Sequence, residues 1–326
     1  MKIQTNRRNL LLTAGLIALI AAPFLTTNNY QLYILNILGI YILLNIGLNI
    51  SIGYCGQINL AVAALWGFGA YVSTLLTVDL GINFWIALPL SGLITAVLGG
   101  LIGLPSLKVR SHYLAIVTIA LAGIINMVLV NEREITRGAI GIMHIPSPKI
   151  FGFEIASEFH YYYFILVMTI IGYLFARFII DHRIGRNFIA VRDDYVAAQA
   201  MGVNTAYYQI LAFAISGLYA GIAGSLYAHK INYVSPDIFG FHSMMLILTM
   251  TLIGGSGNIN GSVIGAALVI LNESLREFED LQLVLYGTAV VLIVLFFPEG
   301  LVGLFDRIRQ WLANRRKKIP VSEGTP

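Results

Sequence analysis

Charge is what this sequence lacks most. Of its 326 residues only 11% are Asp, Glu, Lys or Arg, less than half the roughly 25% of ordinary soluble domains. A soluble two-domain enzyme of this length needs far more polar side chain to cover its surface, so that class is excluded. Cysteine is nearly missing too: Cys55 stands alone, which rules out an internal disulfide and a cysteine metal cluster. There is no G-x-x-x-x-G-K-[ST], no H-E-x-x-H and no G-x-S-x-G, so the common nucleotide-binding, zinc-protease and serine-hydrolase signatures are absent. The histidines His112, His144, His160, His182, His229 and His242 show no metal-ligand spacing and read as border residues at an interface; no metal site is expected.

What is present is apolar: 58% of the chain is hydrophobic, and the 70 residues between Arg8 and Asp79 contain no charged side chain. Further uncharged stretches run 80–107, 111–131, 159–176, 195–229, 238–272 and 281–298. A helix needs roughly 20 apolar residues to cross the hydrocarbon core. The sequence therefore predicts an all-α polytopic membrane protein of about 8–10 transmembrane helices. The spans fall at 10–25, 32–50, 58–77, 84–104, 113–130, 161–180, 208–228, 241–253, 259–271 and 283–297. The segments 241–253 and 259–271 are short for a crossing, and read as a broken or re-entrant pair around Gly254 to Gly257.

Sidedness follows from the basic residues. Fifteen fall on one side: Lys2, Arg7, Arg8, Lys108, Arg110, Arg177, Arg183, Arg186, Arg192 and six beyond residue 306. Five fall on the other: Arg133, Arg137, Lys149, Lys230 and Arg276. The bias predicts that both termini are cytoplasmic. The first segment has the basic start of a signal peptide but a poor cleavage site before Pro23, so a retained helix is expected. No connection is long enough to be a folded domain. A single membrane domain, 1–306, is expected, followed by a basic cytoplasmic tail, 307–326, whose Arg315, Arg316, Lys317 and Lys318 face anionic lipid and not nucleic acid.

Few ionisable groups fall inside a span, which argues against a carboxylate ion relay and calls for another source of energy. Polar backbone at membrane depth is tolerated only where it is buried in protein or lines a cavity. Gly53, Tyr54, Gln57 and Asn59 interrupt an apolar run. They read equally as part of a solute path in a broken helix and as a tight turn between spans. Gly217, Gly221 and Gly224 share one helix face and predict a packing seam. Gly254, Gly255, Gly257 and Gly261 lack the lysine of a phosphate loop. The internal loop carries Arg186, Arg192, Asp193 and Asp194, then a short alanine-rich helix over 196–201 with Ala197 and Ala198, stopped by Gly202. Its small side chains suit a groove on a partner; the alternative is a surface helix on the bilayer.

These stretches resemble a known family. Gly185-Arg186 followed by Arg192-Asp193-Asp194, then Ala197-Ala198 to Gly202-Val203-Asn204, then Ala212-Phe213 through Ser216-Gly217, Ala220-Gly221, Ala223-Gly224 and Leu226-Tyr227-Ala228 are similar to permease subunits of branched-chain amino-acid ABC importers. Gly53 to Leu60 (GYCGQINL), Ile253 to Gly265 and Pro298-Glu299-Gly300-Leu301 match further elements of that family in order. The length and long external loop resemble the second, LivM-like, of its two paired permeases. The resemblance implies an inner-membrane permease, not itself an enzyme, with no cofactor of its own. Its implied partners are a second homologous (LivH-like) permease, two cytoplasmic ATP-binding subunits holding ATP and Mg, and an extracytoplasmic solute-binding protein. It also implies that the 196–202 piece is the loop docking into the ATPase, with hydrolysis there supplying the energy. Departures from the family pattern are Ala61 to Leu65, Thr136 to Ile142, and Val196 in place of a glutamate. They bear on the solute, and a urea or short-chain amide permease is the alternative within the class. An ion-coupled carrier acting alone is the alternative outside it.

Overall fold

The computed structural model describes residues 28–109, 112–150, 153–155 and 157–273, together with 23, 24, 300 and 303. The expected spans 283–297 and most of 10–25 lie outside the described residues, as does the basic tail. Among the described residues ten helices of six residues or more carry the fold: α1 (Asn29–Asn49), α2 (Val62–Val78), α3 (Phe84–Gly103), α4 (His112–Asn131), α5 (Glu158–Asp181), α6 (Arg183–Asp193), α7 (Tyr195–Ala200), α8 (Thr205–Ile231), α9 (Phe241–Gly254) and α10 (Ile259–Glu273). Shorter turns join them. Among the described residues six helical stretches are long and apolar enough to cross a membrane: Asn29–Tyr54, Phe84–Leu107, Tyr113–Asn131, Glu158–Asp181, Thr205–Ile231 and Pro236–Gly254. Val62–Val78 and Ile259–Ile270 are shorter apolar helices.

Local chemistry sets several helix starts. Asn28, Asn83 and Asn204 accept the backbone N–H of Tyr30 (3.0 Å), Trp85 (3.0 Å) and Tyr207 (3.1 Å), each serving as an N-cap. The span expected from residue 58 begins as a helix only at Val62. Asn59 Oδ1 takes the Ala61 N–H at 3.1 Å, and Thr118 Oγ1 takes that of Leu60 at 3.2 Å. Side chains thus occupy donors that a helix would have left for its own first turn.

Helix α8 is the centre, and it meets α2 and α3 through glycines. A Cβ on Gly217 would lie 2.5 Å from Thr95 O, one on Gly221 2.7 Å from Ser91 O, and one on Gly224 2.4 Å from Trp66 O. Backbones approach this closely only where side chains are missing. Beside the seam, Trp66 is fully buried and meets Phe239 and Tyr227 edge-on.

Segments 241–253 and 259–271 form the helical pair expected there: α9 starts beside the turn Pro236–Phe239 and runs to a turn at 255–258, from which α10 returns antiparallel. Gly254 and Gly261 hold the pair together at its tip: a Cβ on Gly254 would overlap the Gly261 carbonyl.

The connection 131–160 adds a small amount of sheet at the opposite end. β1 (Ile142–Met143) pairs antiparallel with β4 (Tyr233–Val234), and β2 (Lys149–Ile150) with β3 (Phe153–Glu154). This connection covers His229, which the sequence placed at a border. The side chain is 1% exposed, with Nδ1 2.7 Å from Pro146 O and Nε2 3.2 Å from Ser73 Oγ. Among the described residues, those assigned to two sides from charge separate to opposite ends. Arg137 pairs with Asp79 (3.3 Å) and Lys230 with Glu158 (2.5 Å) at one end, while Arg192 meets Gly53 at the other.

Candidate functional site

Helix α1 does not end cleanly. It widens into a π-turn over Ile50–Tyr54 and then runs irregularly to Ala61. Such widened turns are rare and frequently sit at functional sites. The neighbouring surface is the tip of the α9–α10 hairpin. A Cβ on Gly53 would lie 2.0 Å from Asn49 Oδ1 and 2.1 Å from Gly257 N, so only glycine lets these two backbones touch.

Asn49 makes the junction. Its amide N–H groups donate to Asn258 O (2.9 Å) and Ser262 Oγ (2.8 Å), and its Oδ1 accepts the Gly257 N–H at 2.8 Å. One turn earlier Asn45 donates to Ser262 O (2.8 Å) and accepts from Thr251 Oγ1 (2.5 Å). Tyr54 Oη accepts the Ile259 N–H at 3.2 Å. Both asparagines are buried, where each polar group left unpaired costs about 1–3 kcal/mol. The network therefore couples α1 to the hairpin tip as one unit.

The internal loop joins the same place. α6 buries Gly185, Phe188 and Val191 along one face while exposing Arg186. It is held to the start of α8 by a hydrogen bond from Asn187 Nδ2 to Tyr208 Oη (2.6 Å). At its last turn, Arg192 Nη1 donates to Gly53 O at 2.8 Å. Its Nε and Nη2 both reach Asp193 Oδ1 at 2.9 Å, which fixes the guanidinium plane. The aliphatic stem crosses Gly56, where a Cβ would lie 2.8 Å from Arg192 Cγ.

Asp194 then caps α7, accepting the N–H groups of Val196 (2.9 Å) and Ala197 (3.0 Å). Ala198 packs inward, and Val203 N donates back to its carbonyl at 3.0 Å. Gly202 closes the turn at φ +83°, a left-handed conformation that suits glycine. Val196 (69% exposed) and Met201 (84%) stand out from this short helix. Together these two exposed apolar side chains form a knob at this end of the bundle.

The structure thus brings Gly53, Tyr54, Arg192, Gly255 and Gly257 together from three distant stretches. Gly300 joins them: a Cβ there would meet Gly255 Cα. It leaves Asn59 apart, fully buried, with Nδ2 3.2 Å from Ser216 Oγ on α8. Gln57 is partly buried and donates only weakly to Cys55 O at 3.5 Å. Sequence reasoning missed Asn45 and Asn49. Their signal was there, since asparagines four apart inside an apolar span lie on one face and require partners. Among the described residues no group of three or more His, Cys, Asp or Glu is placed to hold a metal.

Arg192 thus ties the loop carrying Val196 and Met201 to the Gly53 carbonyl, beside the hairpin tip. The family described as branched-chain amino acid transport system, permease component, matches residues 30–297. The high-affinity branched-chain amino acid transport system permease proteins LivM of Salmonella typhimurium and Escherichia coli are each 31% identical over 324 residues, covering 92% of this chain and 76% of theirs. The ribose import permease protein RbsC of Haemophilus influenzae is 24% identical, covering 90% of this chain and 92% of its own. No solved structure matches the chain.

Proposed function

The chain belongs to the permease family of branched-chain amino-acid transport systems, and from that premise we propose that it is a transmembrane subunit of an ATP-driven importer of branched-chain amino acids. It is a multi-pass membrane protein with a transport role and no chemistry of its own. In this reading it sits in the bacterial inner membrane and forms half of a translocation path with a second homologous permease. Two cytoplasmic ATP-binding subunits hold ATP and Mg, and an extracytoplasmic binding protein delivers the solute. Closure of the ATPases pushes the Val196–Met201 knob. Arg192 passes the movement to Gly53, and α1 with the α9–α10 hairpin opens or closes the inner end of the path.

The observation that carries this reading is the Arg192 contact with the Gly53 carbonyl, 2.8 Å long and spanning 139 residues of sequence. It joins the exposed knob to the break in α1. Gentle purification of the tagged chain from native-level expression, with the co-purifying proteins identified by mass, tests it. Recovery of a second permease and ATP-binding subunits, in an assembly that takes up leucine in competition with isoleucine but not urea, is the expected result. A chain that arrives alone and transports in an ion gradient overturns it.

A further inference from the structure

At the end opposite Arg192, a cavity of about 530 Å³ opens between the outer face of α4 and the turn before α9. Its volume is in the range of small-molecule sites, which are mostly apolar with a few convergent polar groups. The walls here fit that description. Ile119, Met127 and Phe239 supply apolar surface, and Asn126, Asn131 and Asp237 supply the polar groups.

Of the acids at this end whose carboxylates are unpaired among the described residues, Asp237, Glu132 and Glu134, Asp237 lines the cavity and the two glutamates do not. Asp79 holds Arg137 at 3.3 Å, Glu154 holds Lys149 at 3.1 Å, and Glu158 holds Lys230 at 2.5 Å. Among the described residues no hydrogen bond or ion pair engages the Asp237 carboxylate, which is exposed at the cavity edge. Asn126 Nδ2 donates to Pro236 O at 3.2 Å. That bond ties α4 to the turn carrying Asp237 and leaves the second amide hydrogen of Asn126 available. α4 is also among the barest of the span-length helices, with 17% of its apolar window buried. A helix that carries asparagine beside an open carboxylate is poorly suited to lipid on that face. The larger cavity, near 800 Å³, lacks this character: it is lined by aromatic side chains such as Trp85, Tyr163 and Phe164, and Glu154 there is already paired with Lys149.

We propose that the Asp237–Asn126 cavity is a receiving subsite for a zwitterionic amino acid with an apolar side chain. Asp237 takes the α-ammonium, Asn126 donates to the carboxylate, and Ile119, Met127 and Phe239 cover the side chain. The open side is closed by the second permease. This assignment rests on the importer reading and adds to it the place where the solute enters this chain.

The test uses the full assembly in proteoliposomes, with saturating leucine-loaded binding protein outside. Leucine moved per ATP hydrolysed is the readout. Asp237→Asn is expected to lower this ratio about tenfold, the scale of losing one charge-paired contact. Asp237→Glu is expected to keep most of it, and Asn126→Ala to lower it severalfold. Assembly with the partner subunits at wild-type yield shows that the variants fold. An unchanged ratio in both Asp237→Asn and Asn126→Ala overturns the subsite while leaving the importer reading intact. A wild-type assembly that hydrolyses ATP but moves no leucine overturns the importer reading itself.

Discussion

The two ends of this bundle are built differently. At the Arg192 end, three stretches far apart in sequence are joined backbone to backbone through glycines. One guanidinium reaches in from a short helical loop, whose apolar knob faces outward. At the other end, the connection between α4 and α5 folds over the helix termini, strands pair, and Lys230 sinks to 4% exposure against Glu158. Lys230 also lies 4.8 Å from the centre of the Tyr161 ring, and Asn36 donates to the same carboxylate at 2.8 Å. The contrast separates two uses of charge. A partly exposed cation on a backbone carbonyl adds little stability; a buried cation among an acid, an amide and rings is costly to strand.

Substitutions at each end test that difference. The largest loss of stability is expected from Lys230→Met, which strands the Glu158 carboxylate and costs roughly 3 kcal/mol. Adding Glu158→Gln should restore much of it. Thermal unfolding in detergent measures both, and uptake per folded molecule should change little in the double variant. A strong uptake defect there would erase the distinction between the ends.

Asn49→Leu comes next. It leaves the Gly257 N–H, the Asn258 carbonyl and the Ser262 hydroxyl without their partner, a cost of about 2–3 kcal/mol by the same unfolding assay. Uptake should fall as well, because α1 and the hairpin no longer move as one.

Arg192→Gln is expected to lower unfolding stability by less than about 1 kcal/mol, since the side chain is partly exposed. Uptake should nonetheless drop about tenfold at unchanged assembly, on the scale of a lost charge-assisted contact. Normal uptake in this variant would remove Arg192 from the transmission path. Gly202→Ala is the mildest. Open space surrounds the position, so only the left-handed backbone is strained, by about 1 kcal/mol. Reduced binding of the ATP-binding subunits, measured by co-purification, should accompany it.

Much of the membrane architecture was legible in the sequence, because hydrocarbon makes a single demand that a local window records. Apolar runs of sufficient length gave α1, α3, α4, α5 and α8 to within a few residues at most of their ends, and charge bias sorted the connections into two groups. The start of α2 was not legible: whether Asn59 caps a turn or continues a helix depends on Thr118, 58 residues away from Leu60. His229 was misplaced for the same reason, since Pro146, 83 residues earlier, provides the acceptor and the cover.

The site divides along the same line. Gly53, Arg192 and Gly257 stand out in the sequence as interruptions of apolar or small-residue patterns, and α7 with its Asp194 cap and Gly202 stop is a local object. That these elements meet is a fact of the tertiary structure alone. Asn45 and Asn49 show this most plainly. Nothing local states whether an asparagine in an apolar helix faces solute, a second chain or its own chain, because the helix satisfies the backbone and leaves the side chain to find a partner. The composition determined that this chain is a helical membrane protein, since burial in hydrocarbon depends on sums over short windows. The packing of α9 and α10 against α1 decided which distant residues meet at its π-turn, since glycine contacts and buried hydrogen bonds exist only between residues that folding brings together.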